Sequence, residues 1–362
     1  MFVALDKNNQ RVTLTSHTQA ANLTHQTFHC PICKQVVRIK NGTVMPAHFA
    51  HRSQPMGEGE PESIEHLTGK WWLASWLKQH GEQATLEYYD ATIRQRADLL
   101  VASKPPRVLE FQASPLSVPD LQKRTMMYHA RGWQVTWVLG HRYWHPEGKI
   151  QARKFLSIED HRLTLWHLQT TVGELVRIQF GNEGRWLTRF QHDDPPTQTW
   201  QAESTYPQRQ IRQIAISLQK RVQPWMTLQA AAYQQGRNLN GSPWFVHSRP
   251  HVLRHFGIPE LQLRLKWLLI FEGQPFTATA NRQFWQAALP NIWTPLLPAG
   301  TLGKMMAAHW LQVLLAEGFV VQEGGCRYQW QRLPVWFADL ERKLAMKKAL
   351  LKAKSDEADC LS

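Results

Sequence analysis

The fold turns on Arg96-Ala97-Asp98-Leu99-Leu100-Val101 and, after Lys104-Pro105-Pro106-Arg107, on Val108-Leu109-Glu110-Phe111-Gln112-Ala113-Ser114. Both runs are short and apolar and read as strands, with the proline-containing gap as a turn between them. Each carries one acid among apolar neighbours, and a buried carboxylate is costly unless it is paired or bound to a cation. Two such acids, Asp98 and Glu110, on neighbouring strands make a seat for a divalent metal, since hard cations such as Mg²⁺ or Mn²⁺ prefer oxygen ligands. By the two-residue period of a strand, Glu110, Gln112 and Ser114 share one face.

Working outward, Ile64, Leu67, Trp71, Ala74 and Leu77 recur at helical spacing from Ser63, and Glu65, His66 and Lys70 ride on that helix. A strand follows at 84–89, then the two acidic strands, a helix from Pro119 to about Arg131 and a strand at 134–139. Helix, three strands, helix, strand is the order of a restriction-endonuclease-like core in the α/β class, expected over residues 59–150. The spacing Asp, then Glu-x-Gln, is similar to the PD-(D/E)xK pattern of that fold. The chemistry such a core serves is phosphodiester hydrolysis. A metal held by Asp98 and Glu110 would polarise the phosphoryl oxygen and lower the pKa of a bound water. Glu65 is a further candidate carboxylate. Gln112 stands where a lysine often sits and would orient the water, while Lys70, about one and a half turns beyond Glu65, is a candidate cation near the phosphate. Arg124 and Tyr128, four apart, share a helix face suited to a phosphate and a base. Plainer roles remain open: Asp98 paired with Arg96, Glu110 with Arg107, and Arg124 and Tyr128 on a solvated face.

Residues 1–58 read as a separate small module. Phe2–Leu5 and Val12–Leu14 flank a polar turn, and Asn41-Gly42 between Val36–Lys40 and Thr43–Met45 is a hairpin signal, because both residues tolerate positive φ. Cys30, Cys33, His48 and His51 are spaced C-x2-C, fourteen residues, H-x2-H, which suits a structural, tetrahedral Zn²⁺. The alternative is a small buried cysteine pair beside two surface histidines.

Beyond the core, 163–168, 175–180 and 186–190 alternate as antiparallel strands, a candidate extension of the sheet to residue 192. Residues 193–203 read as a linker. A mainly α-helical domain is expected over 205–362, with an apolar stripe at Ile211, Ile214, Ala215, Leu218 and Val222. A helix at 303–318 followed by a hairpin at 319–330 suits a winged-helix-like module. The last helix, Leu340 to Lys354, holds six basic residues against one acid. No G-x-x-x-x-G-K-[ST] motif occurs, so an ATP-driven motor lacks its motif.

The chain has 362 residues, 43% hydrophobic, with 17 Trp and a formal charge of +14. That length supports two or three domains, and that charge makes a polyanion the expected partner. Four cysteines, one close pair and two singles, are no disulfide framework. The start is unlike a signal peptide and no apolar run approaches a membrane span, so a cytoplasmic protein with no membrane partner is expected.

Cys-Pro-x-Cys, His-Phe-Ala-His, Ser63-Ile64-Glu65-His66 with Lys70, Arg96-Ala97-Asp98, Glu110-Phe111-Gln112-Ala113-Ser114, Arg124 and Tyr128 occur together in this order. Over residues 1 to 145 the chain therefore resembles the CoiA-like competence proteins of Gram-positive bacteria. The resemblance implies a zinc-finger-like segment joined to a PD-(D/E)xK-type nuclease domain, serving natural transformation and recombination of incoming DNA together with the RecA recombinase. Asp98, Glu110 and Gln112 match the family's active-site strand positions and Glu65 its helix carboxylate. Glutamine at the third position departs from the wider nuclease fold. Two functions stand side by side: a metal-dependent DNA nuclease, or a catalytically weak module that binds DNA and recruits RecA. The expected DNA is single-stranded or branched rather than plain duplex. A third reading, a zinc-stabilised regulator, predicts sequence-specific binding, for which no recognition helix stands out.

Overall fold

The computed structural model describes residues 1–51, 63–203, 207–249 and 251–346. The chain forms two compact units: Met1–Phe180 with Trp186–Gln201 and Thr294–Leu296, and Gly181–Arg185 with Ala202–Trp293 and Leu297–Ser362.

The first unit opens on a five-stranded sheet of β1 (Val3–Leu5), β2 (Arg11–Thr13), β3 (Phe28–His29), β4 (Val36–Lys40) and β5 (His48–His51), ordered β2-β1-β3-β4-β5. A short helix, α1 (His17–Leu23), packs on it, capped by Ser16, whose side chain accepts from Gln19 N. Ala4, Leu14, Phe28, Val37 and Phe49 are its core. The Asn41-Gly42 hairpin is not formed as expected: β4 pairs with β5 from Lys40↔His48 to Val37↔His51, and 43–45 lie in the loop between. The cause is local. The Asn41 side chain is engaged by His17, with Oδ1 2.6 Å from its Nδ1 and Nδ2 donating to its carbonyl at 3.0 Å.

Then come α2 (Ile64–Gln79), β6 (Ala84–Asp90), β7 (Gln95–Val101), β8 (Arg107–Gln112), α3 (Val118–Ala130) and β9 (Gln134–Leu139), the expected helix, three strands, helix, strand. Ser63 caps α2 by accepting from His66 N, and Ser117 caps α3 by accepting from Asp120 N. β6, β7 and β8 run antiparallel in turn, and β8 and β9 run parallel. Leu67, Leu73 and Leu77 of α2 bury against Leu99, Val101, Leu109, Phe111 and Val138. Burying one such side chain contributes about 1.5–3 kcal/mol. Gly69 lets α2 lie directly on Phe111, since a Cβ there would fall 2.2 Å from the ring. Val108, Tyr128 and Trp133 pack together beside α3, on the alternate face.

The sheet continues through β10 (Ser157–Glu159), β11 (Arg162–Gln169), β12 (Glu174–Phe180), β13 (Gly184–Phe190) and β14 (Thr197–Ala202). The order is β14-β13-β12-β11-β9-β8-β7-β6, with β10 on β11. Thus 193–203 is not wholly a linker. Its second half is an edge strand, tied to β13 by the Trp186–Trp200 ring contact at 5.0 Å and by Gln198 donating to Thr188 Oγ1.

The second unit contains α4 (Pro207–Gln219), α5 (Gln223–Tyr233), α6 (Glu260–Phe271), β15 (Phe276–Thr277), α7 (Ala278–Ala288), α8 (Thr301–Ala316), β16 (Val320–Gly324) and β17 (Arg327–Trp330). The run from α6 to β17, with strand order β15-β17-β16, has winged-helix connectivity. α8, third of its helices, carries one lysine, Lys304, and no arginine, which is little charge for following a phosphate backbone. Residues 340–346 are helical, and the remainder of the expected basic tail lies outside the described residues.

Candidate functional site

The pairing of β7 with β8 runs from Val101↔Arg107 to Leu99↔Leu109, one step short of the level of Asp98 and Glu110. There the Asp98 carboxylate takes over as acceptor, and Phe111 N donates to its Oδ2 at 3.0 Å. Asp98 also meets α2: Oδ2 lies 3.3 Å from His66 Nε2 and Oδ1 4.0 Å from Lys70 Nζ. His66 is seated by stacking on Phe111 at 6.0 Å. Burial opposes ionisation of Asp98, but His66, then Lys70 and Arg124, outweigh it and hold the carboxyl well below the usual range.

Glu110 is 1% exposed and faces α3. Arg124 donates to its Oε2 at 2.5 Å and the Tyr128 hydroxyl donates to its Oε1. Burial lifts the Glu110 carboxyl to about 7; Arg124 and Tyr128 oppose the rise and Asp98 adds to it. Arg124 and Tyr128 do share a helix face, but that face holds Glu110 rather than lying open to a phosphate and a base. The pairing of Glu110 with Arg107 does not occur, since Arg107 turns to Glu82 at 2.6 Å.

Lys70 is fully buried, its Nζ 2.7 Å from Glu87 Oε1. Glu87 is a site residue that strand pattern alone does not reveal. It lies on β6 at φ +50, a left-handed backbone unusual for glutamate, and its Oε2 accepts from Phe2 N and Val3 N at 2.9 and 3.2 Å. One carboxylate thereby joins β1 to the lysine of α2. The positive φ at a non-glycine residue was invisible in the sequence.

Glu65 is placed at the carboxyl ends of β8 and β9, where its Oε1 accepts from His141 N at 2.6 Å. A Cβ on Gly140 would lie 2.4 Å from that oxygen, so glycine permits the approach. The Gln112 amide donates to the Ser114 carbonyl at 2.8 Å and to Ser114 Oγ at 3.2 Å, and Tyr143 OH donates to the same carbonyl at 2.9 Å. Gln112 is level with Leu139 of β9, and Leu139 with His167 of β11. His167 is a second unforeseen member of this layer: its ring nitrogens have no hydrogen-bond partner among the described residues, its ring meets that of Trp144 edge-on at 5.2 Å between centres, and burial pushes it down to about 3, so it is neutral.

Carboxylate oxygens on adjacent strands suit a hard cation by donor type. The structure nevertheless turns the oxygens of Asp98 and Glu110 toward His66, Lys70, Arg124 and Tyr128. Among the described residues, the one group of three His, Cys, Asp or Glu donors within 4.8 Å of one another is Cys30, Cys33 and His51, so Glu65, Asp98 and Glu110 do not gather to that degree.

That group sits on the N-terminal sheet. Cys30 and Cys33 form a knuckle in which Lys34 N donates to the Cys30 carbonyl at 3.0 Å and Lys34 takes φ +60. His51, on β5, brings Nε2 to 3.3 Å from Cys33 Sγ. Two sulfurs and an imidazole at this separation fit tetrahedral coordination by a borderline-soft ion. Burial pushes the Cys30 thiol up in the metal-free state. His48 falls outside the group: its Nδ1 lies 2.9 Å from the Pro46 carbonyl, and three residues along a strand reverses the face. The structure therefore assembles three of the four expected ligands.

The chain is thus a mixed α/β protein with a buried acid pair between two helices and a small N-terminal sheet module whose cysteine–histidine knuckle could hold a metal ion. Residues 12–56 match the model of the competence protein CoiA N-terminal domain and residues 62–179 that of the CoiA nuclease-like domain. Residues 12–179 are thus CoiA-like. It is 33% identical over 126 residues to the competence protein CoiA of Bacillus subtilis (strain 168), a match covering 34% of each chain. No solved structure gives a significant match. No helix among the described residues is long and apolar enough to cross a membrane.

Proposed function

We propose that the chain is a cytoplasmic competence factor whose PD-(D/E)xK-type core hydrolyses phosphodiesters in DNA taken up during transformation, working beside the RecA recombinase. The observation that carries this is the pair of buried carboxylates, Asp98 and Glu110, at one level of two adjacent strands where the ladder opens. Asp98 and Glu110 would hold a divalent ion, Mg²⁺ or Mn²⁺, which when bound supplies Lewis acidity and an activated water. The chain's own part is positioning. His66 and Lys70 keep Asp98 ionised, Glu87 fixes Lys70, and Glu65 and Gln112 stand at the strand ends where the scissile group would lie. Cys30, Cys33 and His51 would hold a structural Zn²⁺.

One observation favours the second reading, a DNA-binding module that recruits the recombinase: both acids are already neutralised by cationic neighbours. Cleavage of single-stranded, duplex and branched DNA with Mg²⁺ or Mn²⁺, wild type beside Asp98→Ala, separates the two. Metal-dependent cutting lost in Asp98→Ala with DNA binding intact supports the enzyme. Binding without cutting in both proteins supports recruitment.

A further inference from the structure

The cations expected at the phosphate are spent elsewhere, Lys70 on Glu87 and Arg124 on Glu110. Other arginines of this unit are matched too, Arg107 by Glu82 at 2.6 Å and Arg131 by Asp90 at 3.0 Å. The segment after β9 departs from that pattern. Lys149 Nζ donates to the Arg142 carbonyl at 2.6 Å, and Lys154 Nζ donates to the carbonyl of Leu116 while lying 5.9 Å from the Tyr143 ring centre and 5.4 Å from that of Phe155. Arg142, Lys149 and Lys154 are thus gathered by backbone carbonyls and rings. Among the described residues no carboxylate oxygen comes within 4.0 Å of their charged nitrogens. Burial, and then the charge of Arg142, push the Lys154 amine down. Like charges held together without a counter-charge repel, and an arriving anion relieves that repulsion.

The place is specific. His141 N is bonded to Glu65, and Tyr143 OH to the Ser114 carbonyl, so the segment is pinned to the loop that leaves β8. This is the carboxyl end of the parallel pair β8 and β9, where open α/β sheets bind ligands. We propose that Arg142, Lys149 and Lys154 form the site for a backbone phosphate of the DNA strand that enters the Asp98–Glu110 region. The assignment rests on the DNA reading above. An arginine fork with two lysine point charges suits phosphate oxygens.

The test is binding of the full-length protein to a labelled single-stranded oligonucleotide across a salt series, comparing wild type, Arg142→Gln/Lys149→Gln and Lys149→Arg. Each lost phosphate contact lowers the slope of log K against log salt by about 0.7 for a single strand. The double variant is expected to lose about 0.7 of slope, the one phosphate contact of this site, with its melting temperature unchanged, and Lys149→Arg to keep the wild-type slope. A double variant with wild-type affinity and slope would overturn the site while leaving DNA binding in place. A wild-type protein that binds no DNA would remove the DNA reading itself, and the site with it.

Discussion

Lys70 Nζ lies 2.7 Å from Glu87 Oε1, both side chains buried, while the other Glu87 oxygen takes the backbone N–H groups of Phe2 and Val3. An amine from the nuclease-like domain and the first strand of the chain therefore share one carboxylate. Lys70→Met leaves that carboxylate buried without its counter-charge. The expected loss is about 3–5 kcal/mol, read from urea denaturation. Glu87→Gln, whose amide nitrogen cannot accept from Lys70 or from the Phe2 and Val3 N–H groups, is expected to lose stability as well; equal stability of Lys70→Met and wild type would refute the pairing.

At the knuckle, the two histidines are expected to behave differently. Metal analysis of purified protein should find zinc lost in Cys30→Ser and His51→Ala and retained in His48→Ala, because His48 lies outside the donor group. Loss of a structural zinc removes folding free energy outright, so the first two variants should also melt earlier. Zinc loss in His48→Ala would restore the four-ligand expectation.

Gly140 has an ordinary backbone, φ −82, but no room for a side chain beside Glu65 Oε1. Gly140 is buried and the added Cβ would also lie 3.2 Å from Ala113 Cα, so Gly140→Ala should cost about 1–3 kcal/mol, as overpacking does. It should displace Glu65 and lower any metal-dependent cleavage as Glu65→Ala does. Undiminished cleavage in Gly140→Ala would show that Glu65 is not held in a required position.

In the second unit Lys343 is fully buried against Ser242 Oγ at 3.3 Å, His247 Nε2 at 2.9 Å and the face of Trp244. Burial pulls its amine down to about 7 from the ordinary 10.5. Between those values the unfolded chain binds the extra proton, so stability should rise with pH from about 7 to 10.5 and be lowest below 7. Thermal denaturation at several pH values should show this rise in wild type and a flatter profile in Lys343→Met. Parallel profiles would exclude Lys343 as the cause.

The core elements were legible because their signals are local. Three- and four-residue spacing marks α2, short apolar runs mark β7 and β8, and the Cys-x-x-Cys knuckle is complete within four residues. The edge strand β14 was missed because Thr197-Gln198-Thr199-Trp200-Gln201-Ala202 has one large apolar residue, and Trp200 earns its place only by meeting Trp186 on β13. The Asn41-Gly42 signal failed where a tertiary partner, His17, claimed the asparagine.

Sequence by itself determined that Asp98 and Glu110 would be acids in apolar strands, that a helix would carry Glu65, His66 and Lys70, and that a cysteine pair would precede two histidines. Tertiary structure alone decided where their charges go. Arg124 and Tyr128 close on Glu110 and Lys70 on Glu87, and His51 rather than His48 turns to the cysteines. These outcomes depend on strand register and on how each helix lies across its sheet, and a pattern of spacings along one chain contains neither.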